Sequence, residues 1–152
     1  MHTYKNPLAS VKERIDDLMT RMSFEQKIDQ ITCFVTVTAE LPDFRKYIPN
    51  GIGNVGALTI AENAEAIAEY SYQVPKYLME ETELGIPALI HCEAASGALF
   101  TEASVFPSAI SQASSFNPEN VFQMSKIIRE ELYSVGFRQA LSPVLDISRD
   151  MR

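Results

Sequence analysis

The 152-residue chain is poor in several things that would mark it for a special class. It has two cysteines, Cys33 and Cys92, too few for the disulfide framework of a small secreted domain. Two free, buried thiols are the expectation. Two histidines, His2 in the tail and His91, leave little material for an imidazole metal centre, so no metal and no cofactor are expected. Clustered basic charge is missing as well. No Lys/Arg run exceeds two residues and the net charge is -7, which excludes a phosphate-reading nucleic-acid interface. No apolar run approaches the ~18 residues of a membrane helix, so no membrane partner is expected. The opening Met1–Pro7 is polar and lacks the apolar segment of a signal peptide, which makes the expected location cytoplasmic.

What is present is a globular composition, 46% apolar and 22% charged. A compact fold of this length would bury roughly 68–70% of its unfolded surface. Ser10-Val11-Lys12-Glu13 is a capping box, and Val11, Ile15, Leu18, Met19 and Met22 then recur on one helical face. Ser23-Phe24-Glu25-Gln26 opens a second short helix through Ile28 and Ile31. Pro42 and Pro49 bracket a loop with one helical turn, and Asn54 to Leu58 reads as a buried strand approached through Gly51 and Gly53. A long helix is predicted over Asn63 to Thr82, kinked or split at Pro75 and stopped by Gly85. Ile86 to Cys92 is the second strand, followed by a loop rich in Ala and Ser. Asn117-Pro118 begins a helix whose stripe is Val121, Met124, Ile128, Leu132 and Val135, with Gly136 as its C′ residue. Phe137 to Ile147 holds the third strand. Apolar strands alternating with amphipathic helices predict an α/β fold with a parallel sheet and right-handed crossovers. Three strands suffice for a small open sheet or for the first part of a larger fold, and are too few to close an eight-stranded barrel.

Several short patterns carry candidate chemistry. Gly51-Ile52-Gly53-Asn54-Val55-Gly56 fits G-x-G-x-x-G, yet the glycines precede or sit inside an apolar strand instead of following one, so a strand-entry turn is expected in place of a nucleotide cradle. His91 and Glu93 would share one face of a strand with Cys92 on the other, two ligands that do not make a metal site. Ser96-Gly97 lacks the preceding glycine of a nucleophile elbow. Glu93 is the sharper candidate. It ends an apolar strand and is followed by Ala94, Ala95, Ser96 and Gly97, small residues that leave room for a ligand at the edge where parallel α/β folds bind. A carboxylate capping a neighbouring helix, or simply exposed, fits the same position equally well. Asp146 ends the third strand in the same way, where a structural role beside Arg149 and Arg152 is favoured. The final run, Ser142 to Arg152, passes from apolar to charged residues as a buried strand does on opening into a site.

Taken together these segments resemble the N-terminal part of glycoside hydrolase family 3. Val11 to Gln30 is similar to that family's opening helices, and Leu84-Gly85-Ile86-Pro87-Ala88-Leu89-Ile90-His91-Cys92-Glu93 to its second strand. Phe106-Pro107, Asn117-Pro118-Glu119, Arg129-Glu130-Glu131-Leu132, Val135-Gly136 and Ser142 to Arg152 continue the likeness in order. The resemblance implies the first part, about three βα units, of a (β/α)8 TIM-like barrel. It also implies exo-acting, retaining hydrolysis of β-glucosides or β-xylosides by two carboxyl groups ~5–5.5 Å apart. The resemblance puts both catalytic groups outside these residues, so no catalytic residue is assigned within the chain. It gives Glu93 the role of the acid that hydrogen-bonds the terminal sugar, with glutamate leaning towards the branch containing β-xylosidases and related β-glucosidases. Arg152 matches the first arginine of the family's Asp-Pro-Arg-Trp-Gly-Arg stretch, with Met151 replacing proline. Asp146 and Arg152 are thereby expected to support the site. Ser96-Gly97 stands where many relatives have His-Gly. The implied partners are a carbohydrate substrate and either the remainder of the enzyme or another copy of the chain. The alternative is a catalytically incomplete, oligomerising half-barrel.

Overall fold

A computed structural model describes residues 2–36, 42–57, 63–145, 147 and 149. In chain order it contains a 3-10 turn (Thr3–Lys5), α1 (Val11–Arg21), α2 (Phe24–Gln30), β1 (Cys33–Thr36), α3 (Phe44–Tyr47), β2 (Asn54–Ala57), α4 (Ala64–Glu81), β3 (Leu89–Glu93), α5 (Ala109–Ala113), α6 (Pro118–Ser134) and β4 (Gln139–Leu141). The strands form one sheet in the order β1-β2-β3-β4, every pair parallel. Sequential parallel neighbours joined by helices are the repeating unit of a (β/α)8 barrel. The described residues form a four-stranded parallel sheet consistent with that architecture.

Four strands replace the three expected. The one that sequence reading missed, β1, is only four residues long, although Cys33-Phe34-Val35-Thr36 has the alternating aromatic and β-branched character of a strand. The last two strands are also shorter or shifted: β3 starts at Leu89, not Ile86, and β4 covers three residues of the expected Phe137–Ile147 span. Pro87 supplies no N–H for a ladder and so delays β3. The Ala/Ser-rich loop contains a short helix, α5, that was not foreseen.

One face of the sheet meets the helices. Val55, Ile90 and Cys92 point into a core with Ile67, Tyr70, Val74 and Leu78 of α4 and Ile128 and Leu132 of α6. Helix α4 runs unbroken through Pro75. Proline costs a helix interior about 3 kcal/mol. Each large side chain that α4 buries returns about 1.5–3 kcal/mol, and five such chains hold the helix across the defect. The Asn63 side chain caps α4 by accepting from Ala66 N at 2.8 Å. Asn63→Ala is expected to lower stability by about 1 kcal/mol, measured as a shift in urea midpoint with an unchanged slope.

The opening helices behave differently from their pattern. Both capping boxes form, but α1 buries nothing fully, and Val11, Ile15 and Met19 of its stripe are exposed. Polar links hold this segment instead. Tyr4 OH donates to Leu84 O at 2.8 Å, Tyr4 N to Asp17 Oδ2 at 2.9 Å, and Gln26 Nε2 to Glu83 Oε2 at 2.9 Å.

The glycine-rich stretch enters β2 from a turn, with Gly51 at φ +90 donating to Ile48 O at 3.0 Å and Gly56 inside the strand. Gly53 is wedged against α2's end: it donates to Asp29 O at 3.0 Å, accepts from Leu89 N at 2.9 Å, and a Cβ on it would lie 1.8 Å from Gln30 O. The glycine serves a close backbone crossing, and no phosphate is needed to explain it.

Candidate functional site

Strand β3 delivers the candidate acid to the C-terminal edge of the sheet. Its side chains alternate, with Ile90 and Cys92 buried against the helices and Leu89, His91 and Glu93 on the opposite, open face. Glu93 is the last residue of the strand and exposed, and its carboxylate has no hydrogen-bond partner among the described residues. It neither caps a helix nor joins an ion pair there. The register sets Leu141 beside Glu93, and Gln139 and Gly56 on either side of His91. Asp146 and Arg152 lie outside the described residues.

Below Glu93 on the same face, Cys33 Sγ approaches His91 Nε2 to 3.4 Å. Gly56 makes this approach possible, since a Cβ there would stand 3.1 Å from His91 Cε1 and 3.4 Å from Cys33 Sγ. A nucleophilic Cys–His pair needs a third group to orient the imidazole. Here His91 Nδ1 is buried and has no partner among the described residues. No group of three or more His, Cys, Asp or Glu that could hold a metal occurs among them either. Sequence reading foresaw the shared face of His91 and Glu93 but not Cys33, because β1 itself went unrecognised.

The two cysteines are free, and they differ in kind. Cys33 is exposed, contrary to expectation, while Cys92 is buried. Burial pushes the Cys92 thiol from its ordinary 9.0 up to about 11, against a hydrogen bond from the Leu99 backbone and with help from the Glu93 charge. Iodoacetamide is expected to modify Cys33 in the native chain and Cys92 only after unfolding, as read by peptide mass spectrometry; equal labelling would refute the burial of Cys92. Linkage sets the sign of the pH effect. The unfolded thiol ionises near 9.0 and the folded one near 11, so the contribution of Cys92 is complete below the first value and lost as pH climbs towards the second.

The family model described as Glycosyl hydrolase family 3 N terminal domain matches residues 23–152. The chain belongs to glycosyl hydrolase family 3. A putative β-xylosidase of Formosa agariphila is 31% identical over 98% of this family 3 chain, which spans 21% of that relative. Beta-glucosidase C of Emericella nidulans is 30% identical, again over 98% of the chain and 26% of the relative. A periplasmic β-glucosidase of Salmonella typhimurium is 28% identical over 91% of the chain and 17% of its own length. The family 3 chain therefore spans about a sixth to a quarter of the curated relatives it matches. In three dimensions it resembles a β-N-acetylhexosaminidase from Beutenbergia cavernae, with a TM-score of 0.70 at 23% identity, covering 85% of this chain and 40% of that one. That likeness shows the fold alone, and with the family match the four-stranded parallel sheet is consistent with the N-terminal part of the family's TIM barrel. No helix among the described residues is long and apolar enough to cross a membrane.

Proposed function

We propose that this chain forms the first part of the barrel of an exo-acting, retaining β-glycosidase, acting on terminal β-linked glucose or xylose, and that it contributes Glu93 to the sugar subsite. The observation that carries this reading is the position of Glu93: an exposed carboxylate on the open face, unpaired among the described residues, at the strand end where barrel enzymes bind. Such a group accepts sugar hydroxyls through charge-assisted hydrogen bonds, which are short and directional. A site built on them discriminates strongly against a ligand lacking the hydroxyl. The nucleophile and the acid/base would come from outside these residues, so the 152-residue chain by itself is expected not to hydrolyse glycosides. Names of the relatives support both sugars, β-xylosidase and β-glucosidase, and glutamate at this position fits the branch that contains β-xylosidases and related β-glucosidases.

The test is hydrolysis of nitrophenyl β-xyloside and β-glucoside by an enzyme that carries this segment. Nuclear magnetic resonance should show the β-anomer as the first sugar released, as a double displacement requires. Initial release of the α-anomer would refute the retaining mechanism.

A second reading, an oligomerising half-barrel, draws support from the open face itself, where Val35, Leu89 and Leu141 are 54%, 42% and 42% exposed. Under that reading the purified chain shows a mass that rises with concentration and never gains glycosidase activity. A monomer at every concentration excludes it.

A further inference from the structure

We propose that Glu131 of α6 is a positioning residue for the Glu93 subsite: it holds, from behind, the loop into which β3 opens. The inference rests on the sugar-binding reading of Glu93. That carboxylate has no side-chain partner among the described residues to fix it. Its placement therefore depends on the backbone at the end of β3 and on the segment that follows.

That segment is a packed, closed loop. Ala94, Ala98 and Phe100 are buried in the core. The two limbs of the loop meet where Phe106 N donates to Ser96 O at 2.8 Å. Beside this bond Gly97, at φ +122, lies so close to Ser104 that a Cβ on it would be 2.2 Å from Ser104 O. Ser104 is thus the residue against which Gly97, four positions after Glu93, is braced.

Two carboxylates tie the loop to helices. Glu131 Oε1 accepts from Ser104 N at 3.0 Å, across 27 residues of sequence. Glu102 Oε2 accepts from Ala64 N, at the start of α4, at 2.9 Å, and from Thr101 Oγ1 at 2.9 Å. Of the two anchors, Glu102 is exposed, whereas Glu131 reaches inward and its second oxygen, Oε2, is buried with no partner among the described residues. A carboxylate oxygen buried without a partner is costly, and the rest of Glu131 is half-buried on a helix whose neighbouring Glu130 is exposed. Holding the loop is the return. Catalytic constellations tolerate errors of only about 0.5 Å, and a displacement of about 1 Å costs about 10²-fold in rate.

The geometry needs an acceptor at Oε1, with no requirement for charge. Glu131→Gln offers the same acceptor and Glu131→Ala does not, so the pair separates a clamp from a mere core defect. By hydrogen exchange on the full chain, Glu131→Ala should speed exchange across residues 95–106 by about tenfold, while β2, β3 and α4 keep their protection and Glu131→Gln stays close to the parent. In an active enzyme carrying the segment, Glu131→Ala should raise KM by about tenfold with a smaller fall in kcat, and Glu131→Gln should restore both. Unchanged loop exchange in Glu131→Ala overturns the clamp, as does equal loss of protection throughout the sheet. Faster loop exchange with unaltered kinetics overturns the positioning role. If Glu93→Ala itself leaves the kinetics unaltered, the sugar-subsite reading fails instead, and the clamp stands or falls on exchange alone.

Discussion

Glu93→Ala is expected to lower kcat/KM for nitrophenyl β-glycosides about 10²-fold in the enzyme that carries this segment. Removing a charged acceptor deletes hydrogen bonds worth about 1.5–3 kcal/mol and leaves the sugar hydroxyls it would accept from without that partner. The division of the loss is informative. If the contacts are equal in ground and transition states, KM alone rises; if they tighten as the ring distorts, kcat falls too. Glu93→Gln keeps an acceptor and loses the charge, and is expected to fall about tenfold. Parent values of both parameters in Glu93→Ala would remove the basis for the subsite.

On stability the largest expected effect comes from one methyl group. Gly53→Ala would put a Cβ 1.8 Å from Gln30 O and 2.6 Å from Gln30 C, atoms of backbone that cannot rotate aside. The chain must shift there, and the shift breaks hydrogen bonds to Asp29 O and from Leu89 N, the links by which β2 is approached and β3 begins. A loss of about 3 kcal/mol or more is expected, at the upper end of overpacking effects. Gly56→Ala is the control. Its Cβ would meet the His91 ring edge at 3.1 Å, a side chain able to yield, and should cost less than about 1.5 kcal/mol. Urea unfolding followed by circular dichroism gives both values. A Gly53→Ala midpoint equal to the parent's would show that the crossing of Gly53 over Gln30 is wrong.

Much of this fold is legible residue by residue. The capping boxes at Ser10 and Ser23 and the Asn-Pro start at Asn117 are local signals, satisfied by side chains within three residues, and all form where they were expected. Gly136 takes its positive φ, +93, just after α6. The alternation that puts Glu93 opposite Cys92 is equally local, a property of any extended chain. Local signals failed where tertiary context outweighs them. Pro75 predicted a kink or a split, and the split does not occur, because the core side chains of α4 on either side hold one continuous helix. Four residues of β1 were too short a pattern to stand out, and only pairing along Cys33–Thr36 with Asn54–Ala57 makes them a strand.

The sequence by itself determined the α/β alternation, the family and the residue that ends β3, because periodicity, caps and motif order act through neighbours along the chain. The tertiary structure alone decided which face of the sheet stays open, that Cys33 meets His91 across Gly56, and that Glu131 reaches Ser104 27 residues away. Those contacts depend on how strands register and helices cross, and no spacing within a single segment encodes the distance between two segments.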